Sequence, residues 1–241
     1  MQLEQACRAS GIATVVCSEH TAAPRVHRAL PSLTARLVLS LDGGFDITYE
    51  ERSVTRRAVV AGLMRPGVPV PLLGLRTHQR SVYVELSPQA AHRLLGVPLR
   101  MLDAGGVDAA DVVPWTDSLA DELSDCASHA EREHLMRDRL LQRLMANPEL
   151  RATEAWAAVK MLRESGGCLS TAELASRMHF SERQLRHVMN RDTGIGPKFA
   201  ARIARLGAGL KRASAGAPSW SVVAAEPAST TTVTSSGNFT R

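Results

Sequence analysis

Between Ser170 and Arg191 the chain signals two helix starts in quick succession, and this stretch constrains the fold more than any other. Ser170 and Glu173 form an S-x-x-E capping box, and Ser181 and Gln184 form an S-x-x-Q box. Two boxes this close require one helix to end and another to begin within a few residues. The spacing predicts helices over roughly Thr171–Met178 and Glu182–Arg191, with His179 and Phe180 in the turn.

The apolar positions fit a helix-turn-helix. Leu174 and Ala175 face inward from the first helix, Leu185 and Val188 from the second, and the small Ala175 permits a close crossing. The corner wants a positive φ, which His179 tolerates. The second helix leaves Glu182, Arg183, Gln184, Arg186, His187, Asn190 and Arg191 outside. Arg, Gln and Asn carry the donor and acceptor geometry that matches base edges in the major groove, and Arg also pairs with phosphate. Taken alone, the stretch also fits an αα-hairpin of a helical bundle with a solvated face.

The cations concentrate around this hairpin. Lys160, Arg163, Arg177, Arg183, Arg186, Arg191, Lys198, Arg202, Arg205, Lys211 and Arg212 are opposed only by Glu164, Glu173, Glu182 and Asp192. Such a surface suits the displacement of counterions from phosphates. The chain as a whole carries a net charge of +5 and a pI of about 9.4, which permits an anionic partner without requiring one. Its 241 residues, 44% apolar and only 4% aromatic, allow two domains with a core of Leu, Val, Ala and Ile. Lys160, Lys198 and Lys211 are the only lysines, an Arg bias that mainly fits a GC-rich genome.

Ahead of the hairpin the pattern is first β-like and then helical. Leu3, Ile12, Val15 and Val16 suit an early strand. Ala35–Leu41, the turn Asp42-Gly43-Gly44 and Phe45–Tyr49 read as a β-hairpin, and Arg57–Leu63, Val68–Leu73 and Arg80–Leu86 as further strands. Helices follow over Gln89–Leu95, Trp115–Ala127 and Ala130–Ala146; the last has Leu135, Leu140, Leu141 and Leu144 as its apolar stripe and Arg132 on its charged face. Asn147-Pro148 suggests an interdomain joint. Glu154–Glu164 and a basic helix over Phe199–Arg212 flank the hairpin.

Other chemistry is weak. Cys7, Cys17, Cys126 and Cys168 lack paired spacing, so neither a disulfide scaffold nor a metal framework follows. His129 and His134 are spaced wrongly to share a helix face as a metal pair, and no third group converges on Cys126 and His129. Gly43-Gly44 and Gly105-Gly106 lack the surroundings of a phosphate loop. Trp115, Trp156 and Trp220 suit core anchors better than stacking platforms. With no signal peptide and no apolar run of about 20 residues, a cytoplasmic, non-membrane protein without cofactor or metal is expected.

The segment GIGPKFAARIARLGAGLKRA resembles the linker helix that joins two helix-turn-helix units in AraC-type (arabinose-regulator) transcription factors. Gly194, Pro197, Lys198, Arg202, Arg205 and Ala208 match the family's G-x-x-P-K-x-x-x-R-x-x-R-x-x-x-A. SVYVELSPQAAHRLLGVP and RALPSLTARLVLSLD are similar to the N-terminal sensory region of one branch. The resemblance implies a non-enzymatic, sequence-specific transcription regulator whose partner is double-stranded DNA. It also allows a small-molecule effector and a homodimer, through an effector-binding or dimerising N-terminal domain. By position it makes Arg183, Gln184, Arg186 and His187 the base-edge candidates and Arg191, Lys198 and Arg202 the phosphate candidates.

The resemblance stops near the end. Trp220–Glu226 looks like the start of a second unit, where the family continues with a motif resembling A-G-Y-x-D-x-S-H-L-x-R-E-F. Here a polar tail follows, which cannot bury a helix face and is expected to be disordered. With Ala as GCN, Ser as TCN and Thr as ACN, the shifted codons from Ala228 onward can spell L-H-D-H-S-H-L-I-R-E, so a frameshift is expected in the encoding DNA.

These readings give an α+β chain: an N-terminal small antiparallel β sheet or barrel with helices (1–147), a C-terminal all-α helix-turn-helix domain with an incomplete second unit (148–226) and a disordered tail (227–241). The function expected is major-groove reading by residues 181–191, weakened by loss of the second reading helix. The alternative is a small-molecule-binding or dimerising module that no longer binds DNA.

Overall fold

The computed structural model describes residues 2–28, 30–49, 51–97, 99–102, 106–147 and 153–214. The N-terminal part has α1 (Gln2–Ala9), β1 (Ile12–Thr21), β2 (Arg25–Arg28), β3 (Ala35–Ser40), β4 (Phe45–Tyr49), β5 (Arg52–Arg56), β6 (Ala58–Ala61), β7 (Leu72–Leu75) and β8 (His78–Leu86). Then come α2 (Pro88–Leu95), a 3-10 turn over Leu99–Met101, β9 (Val107–Asp108), α3 (Ala109–Val112), α4 (Thr116–Asp125) and α5 (His129–Ala146). The C-terminal part is helical: α6 (Glu154–Glu164), α7 (Thr171–Arg177), α8 (Glu182–Thr193) and α9 (Pro197–Ser214).

The strands make two antiparallel sheets, ordered β1-β8-β3-β6-β9 and β2-β7-β4-β5. Strand alternation gives the first sheet two different faces. Ala35, Leu37 and Leu39 of β3, with Val82, Val84 and Leu86 of β8, are fully buried in one cluster with Met136, Leu140 and Leu144 of α5. The opposite face meets the second sheet, where Phe45, Ile47 and Val59 form a smaller cluster with Val38 and Leu73. The expected mixed α+β architecture is present, as a sheet pair backed by helices and followed by an all-helical part.

The expected hairpin across Asp42-Gly43-Gly44 is corrected. β3 pairs with β6 and β8, whereas β4 pairs with β5 and β7, so this turn carries the chain from one sheet to the other. The corner is held by side chains. Ser40 Oγ accepts from the backbone N–H of Gly44 at 3.0 Å and from Gln79 Nε2 at 2.7 Å, and Asp42 is fixed by Arg80. Gly44, at φ 109°, leaves no room for a Cβ, which would lie 2.9 Å from the Arg56 carbonyl oxygen. The strand expected over Val68–Leu73 instead starts at Leu72, because Pro69 and Pro71 have no N–H to give a ladder.

Arg132 is a second correction. It is buried, at 7% exposure, and not on a charged face. Its Nε donates to the Leu123 carbonyl at 3.0 Å and its Nη2 to that of Cys126 at 2.7 Å, so it satisfies the carbonyls that α4 leaves open at its C-terminus. Trp156 is buried, while Trp115 is partly exposed under the Arg143 guanidinium at 4.1 Å. The expected joint after Asn147, the start of a second unit at Trp220–Glu226 and the tail from Pro227 all fall outside the described residues.

Candidate nucleic-acid interface

Both capping boxes are complete. Ser170 Oγ accepts from the Glu173 N–H at 3.1 Å, and Glu173 Oε2 accepts from the Ser170 N–H at 2.8 Å. At α8, Ser181 Oγ accepts from the Gln184 N–H at 3.2 Å, and Gln184 Oε1 accepts from the Ser181 N–H at 2.9 Å. Between them His179 takes φ 57°, the left-handed corner that lets the Phe180 N–H reach back to the Ala175 carbonyl at 2.9 Å. Backbone donors and acceptors of the turn are thus largely satisfied locally, which fixes the angle between α7 and α8.

The inner face is apolar. Leu174, Ala175, Leu185 and Met189 are buried, and Val188 is half-buried. Met189 had no part in the sequence reading; it lies one turn beyond Leu185. α8 packs against α6, and α6 against α9. The far end of α8 meets the N-terminal part: a Cβ at Gly194 (φ 75°) would lie 3.2 Å from Arg65 Cδ.

The outer face holds the base-edge candidates together. Arg183, Gln184, Arg186 and His187 are all exposed on the first turns of α8. Arg186 Nη2 pairs with Glu182 Oε2 at 3.3 Å, an exposed i,i+4 pair of the kind worth only about 0.3–0.5 kcal/mol, so a stronger acceptor can displace it. Gln184 commits its side-chain oxygen to the cap, which leaves its N–H2 donors for other use. Asn190 Nδ2 donates to the Arg186 carbonyl at 2.9 Å.

The phosphate candidates are less uniform. Lys198 and Arg202 are exposed on α9. Arg191 is exposed, but its Nε lies 2.5 Å from Asp192 Oδ1 and its Nη2 3.1 Å from Oδ2. The Arg191 hydrogen bonds hold the Asp192 carboxyl below its usual pKa, against burial, which pushes the other way. Much of the Arg191 charge is therefore answered within the protein. Arg205, matched in the sequence motif, donates from Nη1 to the Gly167 carbonyl at 2.8 Å and ties the turn after α6 to α9.

A cavity of about 330 Å³ lies between the two sheets. The first sheet contributes Ser18, Arg36, Ser81 and Tyr83 to its wall, with Val38, Val59 and Ala61, and Thr34 joins them from just before β3; the second contributes Phe45, Ile47, Leu73, Leu75 and His27. Tyr83 Oη donates to Glu85 Oε1 at 2.9 Å, and burial keeps this phenol protonated far above its usual range. Sequence reading did not find this site. Strand alternation turns Arg36 away from Leu37 and Leu39, but what its face of the sheet meets depends on the second sheet.

Among the described residues no group of three or more His, Cys, Asp or Glu could hold a metal ion, and no helix is long and apolar enough to cross a membrane. His129 Nε2 lies 3.7 Å from Glu19 Oε2, and the Cys126 thiol, raised by burial, donates to the Glu122 carbonyl at 3.5 Å.

No family profile and no curated protein matches this sequence. Among solved structures, an apo point variant of ToxT from Vibrio cholerae strain SCE256 matches over 90% of this chain and 89% of that one, at 9% identity and a TM-score of 0.52. ToxT from Vibrio cholerae O395 matches over 88% and 86% at 9% identity (TM-score 0.46), and the AraC-like transcriptional activator CuxR over 87% and 80% at 14% identity (TM-score 0.29). At such identities the likeness is one of fold, and the apo ToxT variant is near enough to establish it.

Proposed function

We propose that this chain is a DNA-binding transcription regulator of the AraC type, with a sensory or dimerising part over 1–147 and a DNA-binding part over 148–226. The observation that carries the reading is α8: an amphipathic helix anchored by Leu185 and Met189, with Arg183, Gln184, Arg186 and His187 exposed together on its first turns. That arrangement suits entry of the helix N-terminus into the major groove. Lys198 and Arg202 on α9, and Arg191 once its pair with Asp192 opens, serve as phosphate contacts. The linker-helix motif and the fold shared with ToxT both support the reading. Binding is weak and poorly selective, because one reading helix supplies about half the base contacts of a two-unit domain, at roughly 1–3 kcal/mol for each good bidentate pair.

Fluorescence anisotropy of the full chain with duplex DNA, across a salt series, tests this. Salt-sensitive binding that Arg183→Ala with Arg186→Ala abolishes is expected. Binding indifferent to both residues removes the regulator reading. A second reading is favoured by the cavity between the sheets: a ligand-binding or dimerising module that no longer acts on DNA. Absence of any salt-dependent DNA binding selects it.

A further inference from the structure

We infer that Glu133 and Arg137 of α5 act together as a surrogate strand on β1, closing an edge that would otherwise pair with the β1 of a second copy of this chain. The inference does not depend on the DNA reading.

β1 is the outermost strand of the first sheet and is bonded to β8 on one side only. In an antiparallel pair alternate residues turn their backbone groups away from the partner. An edge strand therefore presents a row of N–H and C=O groups to any chain that meets it. The sequence makes this edge a hazard. From Ile12 to Ser18 it reads IATVVCS, without a charge or a proline and rich in β-branched side chains, and Val16 is 43% exposed. A segment of this kind on an open edge pairs with copies of itself. A second copy is the fitting partner: antiparallel self-pairing centred on Cys17 sets Glu19 against Val15 and brings no like charges face to face.

Two side chains of α5 occupy the middle of that edge. The Cys17 N–H donates to Glu133 Oε1 at 3.2 Å, and Arg137 Nη2 donates to the Val15 carbonyl at 3.0 Å. Both backbone groups point outward, on either side of Val16. A neighbouring parallel strand would bond the same two groups with the C=O and N–H of a single residue. Here a carboxylate stands in for that C=O and a guanidinium for that N–H. The two side chains lie one turn apart on α5, are partly buried, and are joined to each other, Nη2 to Oε2 at 3.1 Å. α5 is itself fixed against the sheet by Met136, Leu140 and Leu144. Both bonds to β1 are charge-assisted, hence stronger than the amide bonds they replace. Glu19 faces the same way two residues on, and its backbone has no such partner among the described residues.

Hydrogen exchange of the full chain, followed by NMR, tests the surrogate directly. With intrinsic rates corrected for, the Cys17 amide is expected to exchange at least about tenfold more slowly than the Glu19 amide, and Glu133→Ala to erase that difference. Sedimentation velocity tests the consequence. The double variant Glu133→Ala with Arg137→Ala is expected to form larger species than the parent at the same concentration. Adding Glu19→Pro, which removes an outward N–H and sets a ring in the path of a second strand, should restore the parent's behaviour. Circular dichroism melts establish that the variants fold, and the parent's exchange result stands whether or not they do. Equal protection of Cys17 and Glu19 in the parent overturns the inference. So does a folded double variant that stays in the parent's state, or association that survives Glu19→Pro.

Discussion

Asp42 and Arg80 are joined by three hydrogen bonds at the corner where the chain leaves one sheet for the other. Asp42 Oδ2 accepts from the Arg80 backbone N–H at 2.7 Å, and Oδ1 accepts from Nε at 2.9 Å and Nη2 at 2.7 Å. Burial by itself raises the Asp42 carboxyl pKa, but the Arg80 hydrogen bonds and charge outweigh it and hold the group below its usual value. A depressed carboxyl stabilises the fold fully above the unfolded pKa of about 3.9 and loses that contribution as pH falls through the folded value. Asp42→Asn should therefore destabilise by about 1–2 kcal/mol at pH 7, the pair being partly exposed. Urea melts of both proteins should show that gap closing below about pH 4. A gap that stays constant into strong acid would mean the charge contributes nothing.

Replacing Arg132 by Met keeps the aliphatic stem but leaves the carbonyls of Leu123 and Cys126 without their donors. Each unpaired buried acceptor costs about 1–3 kcal/mol, offset in part because a buried charge is also removed. We expect a net loss of about 2 kcal/mol in denaturant unfolding, with no change in DNA affinity. A variant as stable as the parent would make the capping role incidental.

The helical half was far more legible than the sheets, for a physical reason. A capping box is closed within four consecutive residues, so Ser170, Glu173, Ser181 and Gln184 could be read locally, and so could the exposed row on α8. A turn such as Asp42-Gly43-Gly44 states that the chain reverses, but not which strands it will pair. That was settled by Ser40 and Asp42 bonding to Gln79 and Arg80, a distant pair in sequence. β2 and β5 are polar and almost wholly exposed, and gave no apolar alternation to read. Arg132 has the sequence signature of a surface charge; only the end of α4 makes its burial possible. The cavity, walled by strands from both sheets, has no local signal at all.

Two left-handed positions in the C-terminal part should respond oppositely to exchange. Gly167 sits at φ 77°, where a Cβ would lie 2.3 Å from the Ala201 carbonyl oxygen and 2.9 Å from the Arg205 nitrogen. Those are backbone atoms of α9, so Gly167→Ala must displace a helix as well as strain the turn, and a loss of about 2–4 kcal/mol is expected. His179, at φ 57°, is exposed, and His179→Gly should relieve strain and gain up to about 1 kcal/mol. Thermal melts of the two variants read both effects, and a stabilised Gly167→Ala would contradict the tight approach to α9.

Base reading and phosphate anchoring leave different marks on binding, and the proposed interface assigns residues to each. Arg183 and Arg186, on the first turns of α8, should each cost about 1–3 kcal/mol on replacement by Ala and should flatten the preference between duplex sequences. Arg202, exposed on α9, should weaken binding to all duplexes alike and reduce the slope of log affinity against log salt by about one. Arg191→Ala should do less than Arg202→Ala, since Asp192 already answers its charge through bonds of 2.5 and 3.1 Å. Anisotropy over several salt concentrations, with matched and scrambled duplexes, separates these effects. If Arg183→Ala changes the salt slope but not sequence preference, α8 lies along the backbone and not in the groove.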